Sequence, residues 1–389
     1  MTEKARRILL LHITAKSGHH RASIAIANSI RSLDPAAQVL NVDAVEYTNP
    51  AVRWAIRCLY FQLIRHQPDV WEYLYDNPDV HRHVQGLRAL LHRYHAAKLK
   101  RLLEEFRPDA ILCTQAYPCG MVADYKRHYG LSVPVVGVLT DYAPHLYWFH
   151  DTVDLYVVPS EEVSRRFFER GVEASRVRPL GIPIDPVFAE SSDVAGAARR
   201  YGLDPFRPVL LIMGGGSGFG QLREIVQRLD TLPLACQMVI VAGTNDSLLR
   251  WARNRRFRHR VVALGFTEDI ADLMALATIL VSKPGGLTTS EALAKGLPMV
   301  MVNPISGQEA YNARFLLGQG AALAAGSPVT VRQTVRDLLE SPRRLLALRE
   351  RALELARPNA AEEVGRLALR LCDAAKESGR AMLEGAAAV

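Results

Sequence analysis

The sequence is poor in the residues that would place it in several familiar classes. Its five cysteines, Cys58, Cys113, Cys119, Cys236 and Cys372, form no C-x-x-C pair and have no histidine at metal-ligand spacing. That excludes a disulfide framework and a zinc site, and it points to a reducing cytoplasm. No window of about 18 residues is free of charge, so no spanning helix is expected. The apolar run from Ile8 to Ile13, which holds His12, is too short for a secretory core and reads as a first buried strand. No D-x-D occurs, and Asp269 and Asp272 stand three apart on an expected exposed helix, so no carboxylate-held magnesium is indicated. The glycine cluster at 214–220 has no glycine with partners at both +2 and +5, and Gln221-Leu222 stand where a P-loop needs Lys-Ser/Thr. A dinucleotide dehydrogenase and a P-loop NTPase are both disfavoured.

What is present is an ordinary globular composition. The 389 residues are 49% hydrophobic and 23% charged, enough for two domains. A net charge of +8 calls for an anionic partner: nucleic acid, an anionic lipid surface or a phosphorylated substrate.

Strand-like apolar runs alternate with amphipathic stretches along the chain. They fall at Ile8 to Ile13, Gln38 to Val42, Ala110 to Thr114, Val133 to Leu139 and Leu155 to Val158. A second set lies at Val209 to Met213, Met238 to Ala242, Val261 to Leu264, Ile279 to Ser282 and Met299 to Val302. This is the pattern of parallel sheets covered by helices, an α/β chain. Each half opens with a strand running into a glycine-containing loop and then a helix, Leu9 to Ile13 into Ser17-Gly18-His19-His20 and Leu210 to Met213 into Gly214 to Gly220. Two doubly wound, Rossmann-like domains facing across a cleft are expected. The boundaries are 1–180 for the first domain, 181–208 for a linker, 209–327 for the second domain and 328–389 for helices packing back across both.

Residues 51–101 depart from this order. They carry nine basic residues against four acids, interleaved with Trp54, Arg57, Phe61, Arg65, Trp71 and other aromatics. Such a mixture suits contact with anionic headgroups together with insertion of apolar side chains. An ordinary amphipathic helical insertion is the alternative.

Three strings carry chemistry. Glycines beside a strand end and a helix N-terminus bring backbone N–H groups to an anion, which makes Gly214, Gly215, Gly216, Ser217 and Gly218 candidates for a phosphate. Lys283 to Leu293, KPGGLTTSEAL, follows a strand end; Gly285 and Gly286 permit close approach, Thr288 to Ser290 can cap a helix, and Glu291 projects one turn in. Ser306 to Asn312 again follows a strand and opens a helix with Gln308 and Glu309.

Taken together, GGGSG at 214, KPGGLTTSEALAKGLP at 283, GQE..N at 307, GHHRAS at 18 and GIPI at 181 resemble the monogalactosyldiacylglycerol synthases and processive diacylglycerol glucosyltransferases of glycosyltransferase family 28. The resemblance runs from about Ile8 to Leu323. It implies the GT-B fold and an inverting transfer of hexose from UDP-glucose or UDP-galactose to a hydroxyl of diacylglycerol, at the cytoplasmic face of the cell membrane. The donor would bind the C-terminal domain and the lipid the N-terminal one. By position, Glu291 would hold the ribose, Gly214 to Gly218 and Thr288 the diphosphate, and Gln308 with Glu309 the sugar hydroxyls. The backbone around Phe266 would meet the uracil. The family's loop histidine falls on His20, while Ser17 and His19 replace glycines of the family's Gly-Gly-Gly-His, and His19 competes for the assignment.

An inverting transfer needs a base at the acceptor hydroxyl and positive compensation at the leaving diphosphate. His20 suits the base, with Asp141 orienting it or sharing the role; helix packing and an N-cap are the plainer alternatives. His145, Trp148 and His150 are candidates for the acceptor side, with structural roles as the alternative. Lys283 is either a diphosphate partner or a solvated strand end. No metal is expected. Other readings are a polyprenyl-linked acceptor, a UDP-N-acetylglucosamine 2-epimerase, disfavoured by the insertion and KPGG..TSE, and a non-catalytic UDP-sugar binder. Nucleic-acid binding has no recognition motif behind it.

Overall fold

In the computed structural model the described residues are 5–13, 17–47, 99–215, 221–302 and 307–387, with main chain alone at 45, 47 and 376–387. The aromatic and basic positions Trp54, Arg57, Phe61, Arg65 and Trp71 lie outside them, as do Gly216, Ser217 and Gly218.

The chain forms two compact units, residues 1–186 with 359–389, and residues 187–358. In the first, β1 (Arg7–His12), β2 (Gln38–Asp43), β3 (Ala110–Cys113), β4 (Val135–Val138), β5 (Leu155–Val157) and β6 (Val177–Arg178) make one sheet in the order β2-β1-β3-β4-β5-β6. Every neighbouring pair is parallel. Helices cover both faces, which is why Ile8, Leu9, Leu10 and Leu11 form an unbroken apolar run, all 0 or 1% exposed, where a half-solvated strand would alternate. One face packs Leu9, Leu11, Ile111 and Tyr156. The other packs Ile8, Leu10, Leu112 and Val136 beneath α1 (Gly18–Leu33) and the C-terminal helix. A helix at Ala116–Tyr129 (α2) follows β3, and one at Glu161–Phe168 (α3) follows β5.

The second unit opens with a helix at Val194–Tyr201 (α4). Its sheet contains β7 (Val209–Met213), β8 (Gln237–Val241), β9 (Arg260–Leu264), β10 (Ile279–Ser282), β11 (Met299–Val302) and β12 (Ala322–Ala325), in the order β12-β11-β10-β7-β8-β9. The helices between them are α5 (Leu222–Leu229), α6 (Asp246–Asn254), α7 (Ile270–Leu276), α8 (Gly286–Ala294) and α9 (Gln308–Gly318). α10 (Pro328–Leu339) and α11 (Pro342–Leu355) complete this unit, and α12 (Ala360–Ala387) returns to the first. The stretch from 328 is thus divided, with α10 on β11 and β12, α11 on α8 and α10, and α12 on α1.

Both sheets reverse direction once. In the first the reversal lies between β1 and β3, and in the second between β7 and β10. At such a switch point the connections leave toward opposite faces and open a crevice at the carboxyl ends of the strands.

Candidate functional site

Each switch point gathers polar residues. At the first, β1 ends on His12 and α1 begins at Gly18, capped by the Ser17 hydroxyl, which accepts from the His20 N–H at 3.3 Å. The His20 ring stacks on that of His12, centroids 4.3 Å apart and planes 22° from parallel. His12 is only 4% exposed and stands opposite Asp43 in the β1–β2 register.

A hydrogen-bond chain fixes the His12 ring. The Ser23 hydroxyl donates to the His20 carbonyl at 2.8 Å, so it accepts from Asn41 Nδ2 at 3.0 Å. Asn41 therefore turns Oδ1 toward His12 Nδ1, 2.8 Å away. An amide oxygen only accepts, so Nδ1 carries the proton and Nε2 is bare. Burial lowers the pKa of both rings from the usual histidine value; for His20 the Asp43 carboxylate opposes this and Arg21 adds to it. The net shift favours the neutral His20 ring.

His19 takes a different position. Its Nδ1 lies 3.0 Å from the Thr114 carbonyl and 2.7 Å from Thr140 Oγ1, while Thr114 Oγ1 donates to the His19 carbonyl at 2.9 Å. The ring ties the start of α1 to the ends of β3 and β4, and burial pushes its pKa down to about 4. His19 is thus a fastening between elements, whereas the His20 ring lies against His12. Asp141 follows Thr140 directly, so the fastening reaches the residue beside it.

The expected acceptor residues separate. Trp148 takes the structural place open to it: it is 4% exposed and belongs to the core, with its carbonyl accepting from Tyr156 at 2.8 Å. Its single-turn helix, Leu146–Trp148, is too apolar to stay out. His145 lies against it, ring centroids 6.1 Å apart. His150 Nε2 is spent locally, 3.0 Å from the Tyr147 carbonyl.

At the second switch point, Gly215 follows β7 with φ of 70°, and a Cβ there would lie 2.8 Å from Lys283 Cε. Glycine is favoured because the backbone is left-handed, and any side chain would also displace the end of Lys283. Lys283 Nζ bonds to Glu309 Oε1, so a residue at the end of β10 is joined to the first turn of α9. Lys283 is therefore not a solvated strand end. Glu309 is 6% exposed, and Asn312, wholly buried, donates to the Pro284 carbonyl at 3.0 Å and holds the Lys-Pro-Gly-Gly turn.

Among the described residues, three helices that start beside the adjacent strands β7, β10 and β11 have no side-chain cap: α5 after Gln221, α8 after Gly285 and α9 after Gly307. Gly307 has φ 86° and ψ −122°, a conformation for glycine alone. In the same unit α6 and α10 are capped by Asn245 and Ser327, while α7 and α11 are also without a side-chain cap. Helix starts left open at one sheet edge present N–H groups and positive dipole ends to an anion. The Oε1 of Gln308 and the hydroxyls of Ser282 and Thr289 are buried with no hydrogen-bond partner among the described residues. Thr288 is half-buried, Glu291 is 6% exposed, and Phe266 stands 53% exposed beyond β9.

Residues 19–184 match the family profile for monogalactosyldiacylglycerol (MGDG) synthase, and residues 209–364 that for the glycosyltransferase family 28 C-terminal domain. The processive diacylglycerol beta-glucosyltransferase of Bacillus subtilis (strain 168) is 32% identical over 271 residues, 69% of this chain and 70% of that one. The chain belongs to the MGDG synthase and processive diacylglycerol glucosyltransferase family. A member from Bacillus pumilus (strain SAFR-032), carrying the same name, is 28% identical over 348 residues, 89% of this chain and 90% of its own. Among solved structures, that of Acinetobacter baumannii MurG superposes with a TM-score of 0.64 at 16% identity, covering 94% of this chain and 99% of that one. The two sheets are those of the GT-B fold.

Sequence reasoning passed over His12, Asn41, Ser23 and Asp43. Their signal was present but faint: polar residues closing two otherwise apolar strands, with a serine one turn into the following helix.

Proposed function

We propose that this family member is an inverting glycosyltransferase that moves a hexose from a UDP-sugar to a hydroxyl of diacylglycerol. What carries the reading is the group of open helix starts around Gly215, Lys283 and Glu309, a setting for a diphosphate with a sugar beyond it. The relatives' names supply the acceptor class, and because they are glucosyltransferases, glucose is the donor we favour.

In this scheme Glu291 holds the ribose, the backbone around Phe266 meets the uracil, and the Gly214 to Gly218 loop with Thr288 holds the diphosphate. Gln308, with its buried unpartnered oxygen, and Glu309, oriented by Lys283, take the sugar hydroxyls. The acceptor oxygen attacks C1, the bond from C1 to the diphosphate oxygen breaks, and UDP leaves with the electron pair. His20 takes the hydroxyl proton, with Asp141 beside the His19 fastening as its partner. Helix dipoles and Lys283 balance the leaving charge, so the transfer proceeds without metal.

Among the described residues no helix is long and apolar enough to cross a membrane. The enzyme works as a peripheral protein at the inner face of the cell membrane, with the 51–101 insertion as its lipid contact.

The test is transfer of labelled hexose from UDP-glucose and from UDP-galactose to diacylglycerol in mixed micelles, with EDTA present. A chloroform-soluble product from UDP-glucose is expected, and His20→Ala should lose about 10²- to 10⁴-fold in rate with UDP binding intact. No lipid product from either donor, with UDP bound, would refute the diacylglycerol acceptor and favour a polyprenyl-linked one or a binder without turnover.

A further inference from the structure

The densest basic run in the described chain lies far from both switch points in the sequence. Residues 250–260 contain six arginines and no acid, and Arg250, Arg253, Arg255, Arg256, Arg258 and Arg260 are all exposed. Among the described residues none of them has a carboxylate partner within ion-pair distance. The neighbouring acid is used otherwise: the Asp230 carboxylate accepts the backbone N–H groups of Arg258 at 2.9 Å and His259 at 3.0 Å, which folds the turn and leaves the guanidinium groups outward.

The run sits at the amino-terminal edge of the second sheet together with the segment before β7. Gln237, the first residue of β8, pairs in register with Arg260. Its side chain accepts from the Asp204 N–H at 2.8 Å and donates to the Asp204 carbonyl at 2.8 Å. A Cβ on Gly202 would lie 3.1 Å from Arg260 Nη2. The turn so anchored holds up Phe206, which is 94% exposed. On the other side Trp251 and Phe257 meet edge to face at 5.8 Å, with the Arg255 guanidinium over both rings at 5.7 and 5.9 Å and Arg223 over Trp251 at 5.8 Å.

We propose that this face of the second unit is a docking surface for anionic lipid headgroups, with Phe206 entering the interface between the arginines. The proposal rests on the reading that the acceptor is a membrane lipid. Uncompensated arginines beside one protruding aromatic ring match an anionic bilayer in charge and in amphipathic layering, and each arginine near such a surface adds to binding. A folded acidic protein would need carboxylates set to pair with each guanidinium, whereas a headgroup layer meets exposed arginines at any spacing.

The test uses the full chain and sedimentation with phosphatidylcholine vesicles, with and without phosphatidylglycerol. The variant Arg255→Glu/Arg256→Glu/Arg258→Glu should lose about 100-fold in partitioning onto the anionic vesicles, and Phe206→Ala a few-fold. Arg343→Glu/Arg344→Glu/Arg349→Glu, an equal charge change on exposed positions of α11, should keep most of the binding. Equal losses in both triple variants would overturn the proposal in favour of net charge alone, and unchanged binding would overturn it outright. Loss of binding to a short RNA duplex, with vesicle binding retained, would assign the face to nucleic acid instead. Transfer to diacylglycerol in neutral detergent is measured alongside and should be unaltered in all three variants. Failure of that transfer in the unsubstituted enzyme would remove the functional reading, whereas the vesicle comparison reads the face by itself.

Discussion

At the residue scale the decisive feature is a histidine stacked on a histidine. His12 contributes a rigid, neutral platform, since its Nδ1 is committed to Asn41 and its pKa is lowered by burial. A ring held against such a plane loses orientational freedom before the acceptor arrives, which is the advantage the proposed base role of His20 would need. His12→Leu should therefore lower kcat by about 10- to 100-fold with KM for the UDP-sugar unchanged. His12→Phe, which keeps the ring plane, should restore most of it. Steady-state kinetics of the two variants decide the matter, and a leucine variant with normal kcat would remove the platform role. His19 makes a separate statement about stability. Its folded pKa of about 4 lies below the ordinary 6.5, so the folded state binds fewer protons between those values. Stability is full above pH 6.5 and falls by up to about 3 kcal/mol as the pH drops toward 4. Chemical denaturation across that window should show this slope, flattened in His19→Asn. The motif that named His20 was legible in the sequence because it is local. The platform was not, because strand register and helix placement bring His12, Asn41 and Ser23 together from separate segments.

Strands and their loops explain why so much of the fold was readable. All ten expected strands are present to within two residues, since strands buried on both faces must be unbroken apolar runs. The two that were not anticipated, Val177–Arg178 and Ala322–Ala325, are a two-residue pair and an alanine-rich edge, too short or too bland to register as pattern. Trp148 follows Asp141 in a polar loop, where the sequence leaves acceptor and structural roles both open, and a single helical turn folds it into the core. The glycine loop after β7 shows the converse, a local motif whose meaning lies in a distant partner. Gly215→Ala would strain a left-handed backbone and press a Cβ on Lys283 Cε, displacing the end of the lysine that bonds Glu309. We expect KM for the UDP-sugar to rise by at least about tenfold, the equivalent of 1.4 kcal/mol, with the melting temperature little changed. Calorimetric UDP binding checks it, and unaltered affinity would separate Gly215 from the donor.

For the whole molecule, the two units differ in how they are closed. The second is continuous in sequence, from residue 187 to 358, whereas the first needs the chain's last segment to complete it. α12 lays Val364, Ala368 and Cys372, all 0% exposed, onto the face that holds Ile26 and Ile30. The approach is close: a Cβ on Gly365 would stand 3.3 Å from Leu33 Cδ1 and 3.4 Å from Ile30 Cγ1. Arg6 fastens the end of this arrangement, bonding Asp34 and Asp373 at 2.8 Å each, and the two carboxylates raise its pKa further. Baring the apolar side chains of α12 and the surface beneath them should cost about 5 kcal/mol or more, a large part of a domain's usual stability. A chain ending at Pro358 should consequently lose amide protection in β1, β3 and β4 while β7, β8 and β10 keep theirs. Hydrogen exchange read by mass spectrometry distinguishes the two sheets directly. Equal protection of both sheets in the shortened chain would mean that α12 only covers the first unit, and loss in both would mean that the units fold as one.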